Sequence, residues 1–179
     1  MQRTVKYILY TLAAVFFVSC GDGVSLQRYY VDHQETKDFI AQDIPISLMQ
    51  LDQSKFTEEQ QEAYNSVKKL NFLGYRSSDS DLKVYNAEIE KVKTILSNDE
   101  YQDLIEFSDR GRKVVVKYVG DDESADEVVI FGSAEDLGFG IVRVLGDDMK
   151  PEKIGVLINS LRNANLDQSQ IQDIMNFFE

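Results

Sequence analysis

RKVVVKYV (Arg112–Val119), EVVIFG (Glu127–Gly132) and FGIVRVL (Phe139–Leu145) follow one another with only short segments between them. β-Branched residues dominate all three runs, and such side chains suit a pleated, half-buried surface. The joining segments are acidic or contain glycine and are too short to hold a helix. Consecutive strands must therefore turn straight back on one another. An antiparallel meander is the expected result.

Toward the C-terminus, Met149-Lys150-Pro151 opens a helix in which Ile154, Leu157, Ile158 and Leu161 align. Pro151 suits a first turn, where a missing N–H is not needed. Asp167 to Phe178 then reads as a short amphipathic helix through Ile171, Ile174, Met175 and Phe178. Its apolar end, Met175, Phe177 and Phe178, either docks on the sheet or is offered to a partner. Those three are the candidate partner-binding residues.

Toward the N-terminus, Tyr85, Ile89, Val92, Ile95 and Leu96 mark the inward face of a helix that stops near Asn98. A polar loop, Ser77 to Asp81, separates it from NFLGYR (Asn71–Arg76), which reads as a strand. Thr57-Glu58-Glu59-Gln60 is a capping box, and the helix it starts places Tyr64, Val67 and Leu70 on one side. FIAQDIPI (Phe39–Ile46), with Pro45, reads as an edge strand or an extended segment, and Leu26, Tyr29, Tyr30 and His33 fall on one face of a short helix. The expected fold is α+β: a single mixed or antiparallel sheet of about five strands with helices packed on it. At 43% apolar and 11% aromatic residues, one domain of this length can bury a core.

The first twenty residues give an address. Arg3 and Lys6 precede an uncharged run, Tyr7 to Val18, and no acid occurs before Asp22. A positive start, a short apolar core and a small residue at the cut describe an export signal. Twelve helical residues rise about 18 Å, too little for a hydrocarbon core of roughly 30 Å. Phe17-Val18-Ser19-Cys20-Gly21 resembles the lipobox of bacterial lipoproteins, with Phe17 where leucine is usual. The expected division is residues 1–19 as signal peptide, 20–25 as a tether lipidated on Cys20, and 26–179 as one α+β domain. Several acyl chains on Cys20 would hold the protein on its membrane, whereas one alone binds only marginally. About five residues of tether span at most some 18 Å, so the domain should work close to that membrane.

Charge and composition bound the partners. The chain carries 19 basic and 31 acidic residues; without Arg3 and Lys6 the balance is 17 against 31, or −14. That argues against nucleic acid, which needs a basic footprint, and against adhesion of the polypeptide itself to anionic lipid. Cys20 is the only cysteine, so disulfides and thiol chemistry in the body are excluded.

The lipobox, Ser25-Leu26-Gln27-Arg28-Tyr29-Tyr30, Asn71-Phe72-Leu73-Gly74-Tyr75 and the strand ending in Leu145-Gly146-Asp147-Asp148 together resemble the DUF 4252 lipoproteins of Bacteroidota. The resemblance covers nearly all of the mature chain. It implies a fold and an address, no assigned activity, and an association with envelope-stress signalling.

No catalytic constellation stands out, and neither a cofactor nor a metal site is expected. His33 is the only histidine, with Asp32, Glu35 and Asp38 around it, and reads as a surface residue at a polar helix end. The clusters Asp79/Asp81, Asp121/Asp122/Glu123 with Asp126/Glu127, and Asp147/Asp148 supply oxygen ligands of the kind calcium takes, but none has EF-hand spacing. Gly138-Phe139-Gly140 opens a strand, whereas a phosphate cradle opens a helix; it reads as a bulge or a tight start. Gly-x-Ser-x-Gly is absent, and no tryptophan offers a sugar platform.

Three functional readings follow in order. The first is a non-enzymatic protein-binding or regulatory module tethered by lipid; the second is a carrier of a small ligand or calcium, from the acidic loops and nine tyrosines; the third is a hydrolase. The tether Gly21-Asp22-Gly23-Val24 has a single acid, which favours the periplasmic side of the outer membrane over the cell surface. Oligomeric state is left open by the sequence.

Overall fold

The computed structural model describes residues 24–49, 51–77, 82–109, 112–134, 136–161 and 176. Cys20, with residues 1–19 before it, lies outside the described residues, as do Met175, Phe177, Phe178 and the loop acids Asp79 and Asp81.

Leu26–His33 form helix α1, followed by strand β1 (Phe39–Pro45) and two short 3-10 turns. Helix α2 (Glu58–Ser66) starts at the capping box: the Thr57 hydroxyl accepts from Gln60 N, and the Gln60 side chain accepts from Thr57 N. Strand β2 (Val67–Arg76), helix α3 (Leu82–Leu96), four consecutive strands and helix α4 (Pro151–Leu161) complete the order. The four strands are β3 (Gln102–Asp109), β4 (Arg112–Gly120), β5 (Ala125–Ala134) and β6 (Gly138–Met149). They form one sheet in the order β1-β2-β6-β5-β4-β3. Every pairing is antiparallel.

The sheet thus has six strands rather than about five. The additional one, β3, carries QDLIEFSD, and a bulge between Asp103 and Ile105 breaks its alternation. Leu104 and Ile105 both pack toward the same cluster as a result. A second difference concerns Val67 and Leu70, which belong to β2 and not to the helix before it. Val67 is already extended (φ −82°, ψ 134°), and a register shift lies between Val67 and Lys69. A bulged strand returns to the same face after three residues, which mimics one helical turn in the sequence.

Alternation along the strands builds two cores, one on each face. Leu73 and Tyr75 of β2, Val129 and Phe131 of β5, and Phe139 and Ile141 of β6 face α1 and α3. Val116 of β4, Val128 of β5 and Val144 of β6 face α2 and α4 on the other side. The first core is aromatic: Tyr75 stacks on Phe139 at 5.2 Å, and Tyr85 of α3 lies 6.3 Å from Tyr75. Gly138 begins β6 with φ +127°, and a side chain there would run into the Tyr75 carbonyl. A tight start is what this glycine provides. Among the described residues no helix is long and apolar enough to cross a membrane.

Candidate functional site

Helix α1 is the element around which polar groups gather. Ser25 caps it by accepting from Arg28 N at 3.2 Å, and Leu26, Tyr29 and Tyr30 are buried beneath it. Under α1 the sheet carries one cross-strand row, Asp43–Asn71–Arg143–Val129–Lys117–Asp103, with a single apolar member. Arg143 is 6% exposed. Its Nε and Nη2 donate to the two oxygens of Glu127, at 2.7 Å each, and its Nη1 donates to Gln27 of α1. Burial pulls the guanidinium pKa down, but the bonds to Glu127 and its charge outweigh that and hold it above the usual value. Asn71 Nδ2 and the Tyr30 hydroxyl both donate to Asp43 Oδ1, the latter at 2.9 Å. Burial, reinforced by that bond, pushes the Tyr30 phenol up to about 12.

A second polar cluster joins α1 to α3. Glu88 is buried, and its Oε2 accepts from the Tyr29 hydroxyl at 2.8 Å while its Oε1 accepts from Lys91 Nζ at 2.6 Å. Burial, then the bond to Glu88, raises the Tyr29 phenol well above its ordinary value, so it stays protonated. His33 joins the same cluster. Its Nδ1 lies 2.7 Å from the Tyr29 carbonyl and its Nε2 3.5 Å from Glu88 Oε2. The ring also packs on Tyr29 at 4.0 Å and on Phe39 at 4.7 Å. With Nδ1 donating to the carbonyl, Nε2 bears a proton only in the charged ring, where it faces Glu88. His33 is therefore a half-buried link between two helices and not the surface residue expected.

Beside this cluster runs a groove of about 680 Å³ between α1 and α3. Tyr29 and Ile95 are its buried residues; Val24, Ala87 and Thr94 are exposed along it, and His33 and Lys91 stand among its polar groups. The Leu26 backbone lies beside Tyr101 just beyond α3, whereas His33 meets Glu88 well inside it, so the two helices run antiparallel.

Asp121 serves the turn that carries it, and other residues of the acidic clusters bond neighbouring side chains. Asp121 Oδ1 accepts from Glu123 N at 2.9 Å and from Ser124 N at 2.8 Å, closing the β4–β5 hairpin. Asp122 accepts from the Tyr118 hydroxyl at 2.6 Å, Asp147 pairs with Lys68, and Glu127 holds Arg143. Among the described residues no three His, Cys, Asp or Glu side chains gather into a metal site.

Glu88 escaped the sequence reading, although a signal was present. It sits within the apolar face marked by Tyr85, Ile89 and Val92, where a solvated carboxylate does not belong. Its partner Tyr29 is 59 residues away, and only the packing of α1 on α3 reveals it.

No curated protein and no solved structure matches the chain significantly. Residues 29–157, from α1 into α4, match the family model described as Domain of unknown function (DUF4252), and the chain belongs to that family.

Proposed function

We propose that this chain is a lipoprotein of the Bacteroidota cell envelope that acts by docking a second envelope protein rather than by catalysis. Lipid on Cys20 anchors it, on the periplasmic side of the outer membrane. The observation that carries the docking reading is the employment of His33. The sole imidazole of the chain has one nitrogen on a backbone carbonyl and the other facing the buried Glu88. A general base must instead reach a substrate proton. Asp121 of the β4–β5 loop is likewise engaged in its own hairpin. Among the described residues the large apolar side chains exposed to solvent include Leu82, at 56%, and Val84, at 40%, in the first turn of α3. A ligand-carrying role has one observation in its favour, the groove between α1 and α3.

Photoreactive side chains placed at Leu82 and Val84 in living cells test the docking reading. One and the same protein should be captured from both positions and not from Lys55, on another part of the surface. Failure to capture a common partner from both would sink it. A regulatory role in envelope stress would show as a changed stress response when Leu82 and Val84 become charged. The anchor has its own check: Cys20→Ala should abolish labelling by a fatty-acid probe and release the protein from the membrane fraction.

A further inference from the structure

We infer that the groove between α1 and α3 is an acyl-chain site, filled in cis by one of the fatty chains carried on Cys20. The inference rests on the proposed lipidation of that cysteine. The groove of about 680 Å³ falls within the roughly 300–1,000 Å³ that ligand sites occupy. It is elongated: its lining on α3 runs from Ala87 to Ile95, about 12 Å of helix at 1.5 Å per residue, and continues to Asn98 just past that helix. Two antiparallel helices thus frame a channel suited to a linear occupant. Tyr29 and Ile95 give it apolar depth, Ala87 and Thr94 leave room in its wall, and Lys91 can lay its methylene stem along it.

Chain continuity selects the occupant. Val24, 54% exposed, lines the groove, and Cys20 is four residues before it. Four residues reach at most about 14 Å, so lipid on Cys20 is confined within one helix length of the channel. No ligand diffusing from solution has that effective concentration. Seating a chain here also has a consequence for anchoring. One remaining chain holds a protein only marginally, whereas two or more hold it firmly. Movement of a chain between groove and bilayer would therefore set how tightly the protein stays on its membrane.

The full-length protein, produced in its native cells fed a fatty acid with a diazirine near its methyl end, supplies the test. Illumination should join the lipid on Cys20 to peptides spanning residues 87–98 of the same chain. Ala87→Trp and Thr94→Trp, two independent changes on the exposed wall, should each lower that yield by about tenfold, because an indole there takes up the space the acyl chain would occupy. Circular dichroism confirms that each variant folds. An epitope-tagged Cys20→Ala copy expressed alongside has no lipid of its own; crosslinks on that copy would place the chain in trans and overturn the inference. Labelled Cys20 with crosslinks only to bilayer lipid or to other proteins overturns the groove while leaving the anchor standing. Absence of label on Cys20 brings down both.

Discussion

Single residues decide how α1 is held, and Glu88 matters most. It is a buried carboxylate that serves Tyr29, Lys91 and His33 at once. Removing it by Glu88→Ala leaves the buried Tyr29 hydroxyl without its acceptor, and an unsatisfied buried donor costs about 1–3 kcal/mol. Glu88→Gln keeps an oxygen there and should cost less, since an ion pair with a half-exposed lysine contributes about 0–1 kcal/mol. Urea unfolding of the two variants should rank them in that order; equal midpoints would mean that the Tyr29 bond does not matter. Tyr30 supplies a pH dependence. Its folded pKa of about 12 lies above the ordinary 10.0, so the folded state holds the proton more tightly. The stability it contributes is complete below pH 10.0 and is lost as pH rises toward about 12. Tyr30→Phe should therefore flatten the alkaline fall in stability across that window. An alkaline profile identical to the parent's would rule out the Tyr30 phenol as its origin.

At the scale of elements, what sequence reasoning can see depends on whether an element keeps its period. Helix α3 keeps it, with Tyr85, Ile89, Val92, Ile95 and Leu96 all buried, whereas β4, β5 and the body of β6, covered on both faces, show instead as runs rich in β-branched residues. The capping box at Thr57 is local chemistry and is equally legible. Strand β3 and the start of β2 were not, and both contain a bulge. An extra residue shifts the phase of a two-residue pattern, so Val67 and Leu70 pass for neighbours on a helix. The candidate site was less legible than the fold. His33 and Glu88 meet only because α1 lies antiparallel on α3, a long-range fact that no local period encodes. The glycines of β5 and β6 separate a conformational need from simple tolerance. Gly138→Ala forces a side chain into φ +127° and against the Tyr75 backbone, and should cost at least about 2 kcal/mol. Gly132 has no such φ, and its added methyl would sit 3.8 Å from Val114 Cγ2, an ordinary contact. Gly132→Ala should be neutral or stabilising by up to about 1 kcal/mol, because alanine restricts the unfolded chain. Thermal melts of the pair read the contrast directly.

The whole molecule is a single sheet with an independent core on each face. Aromatic rings and α1/α3 fill one side; Ala63, Tyr64, Ile154 and Leu157 of α2 and α4 close the other around Val116 and Val128. The two clusters have no buried residue in common, and the β-backbone stands between them. Their cooperation must therefore pass through the strands, whose alternate residues serve opposite sides. Small deletions in the two cores separate contact coupling from this shared scaffold. Ile95→Val on α3 and Ile154→Val on α4 each remove one buried methylene, at about 0.5–1.5 kcal/mol. Changes that share no partner and lie more than about 7–10 Å apart add to within about 0.5 kcal/mol. The double variant should thus lose the sum of the two single effects, while the denaturant slope stays that of one cooperative transition. A loss departing from that sum by 1 kcal/mol or so would reveal that the cores adjust to each other through the sheet. Two separate transitions would show instead that the faces unfold as separate units, and α1 with its groove could then open without disturbing α2 and α4.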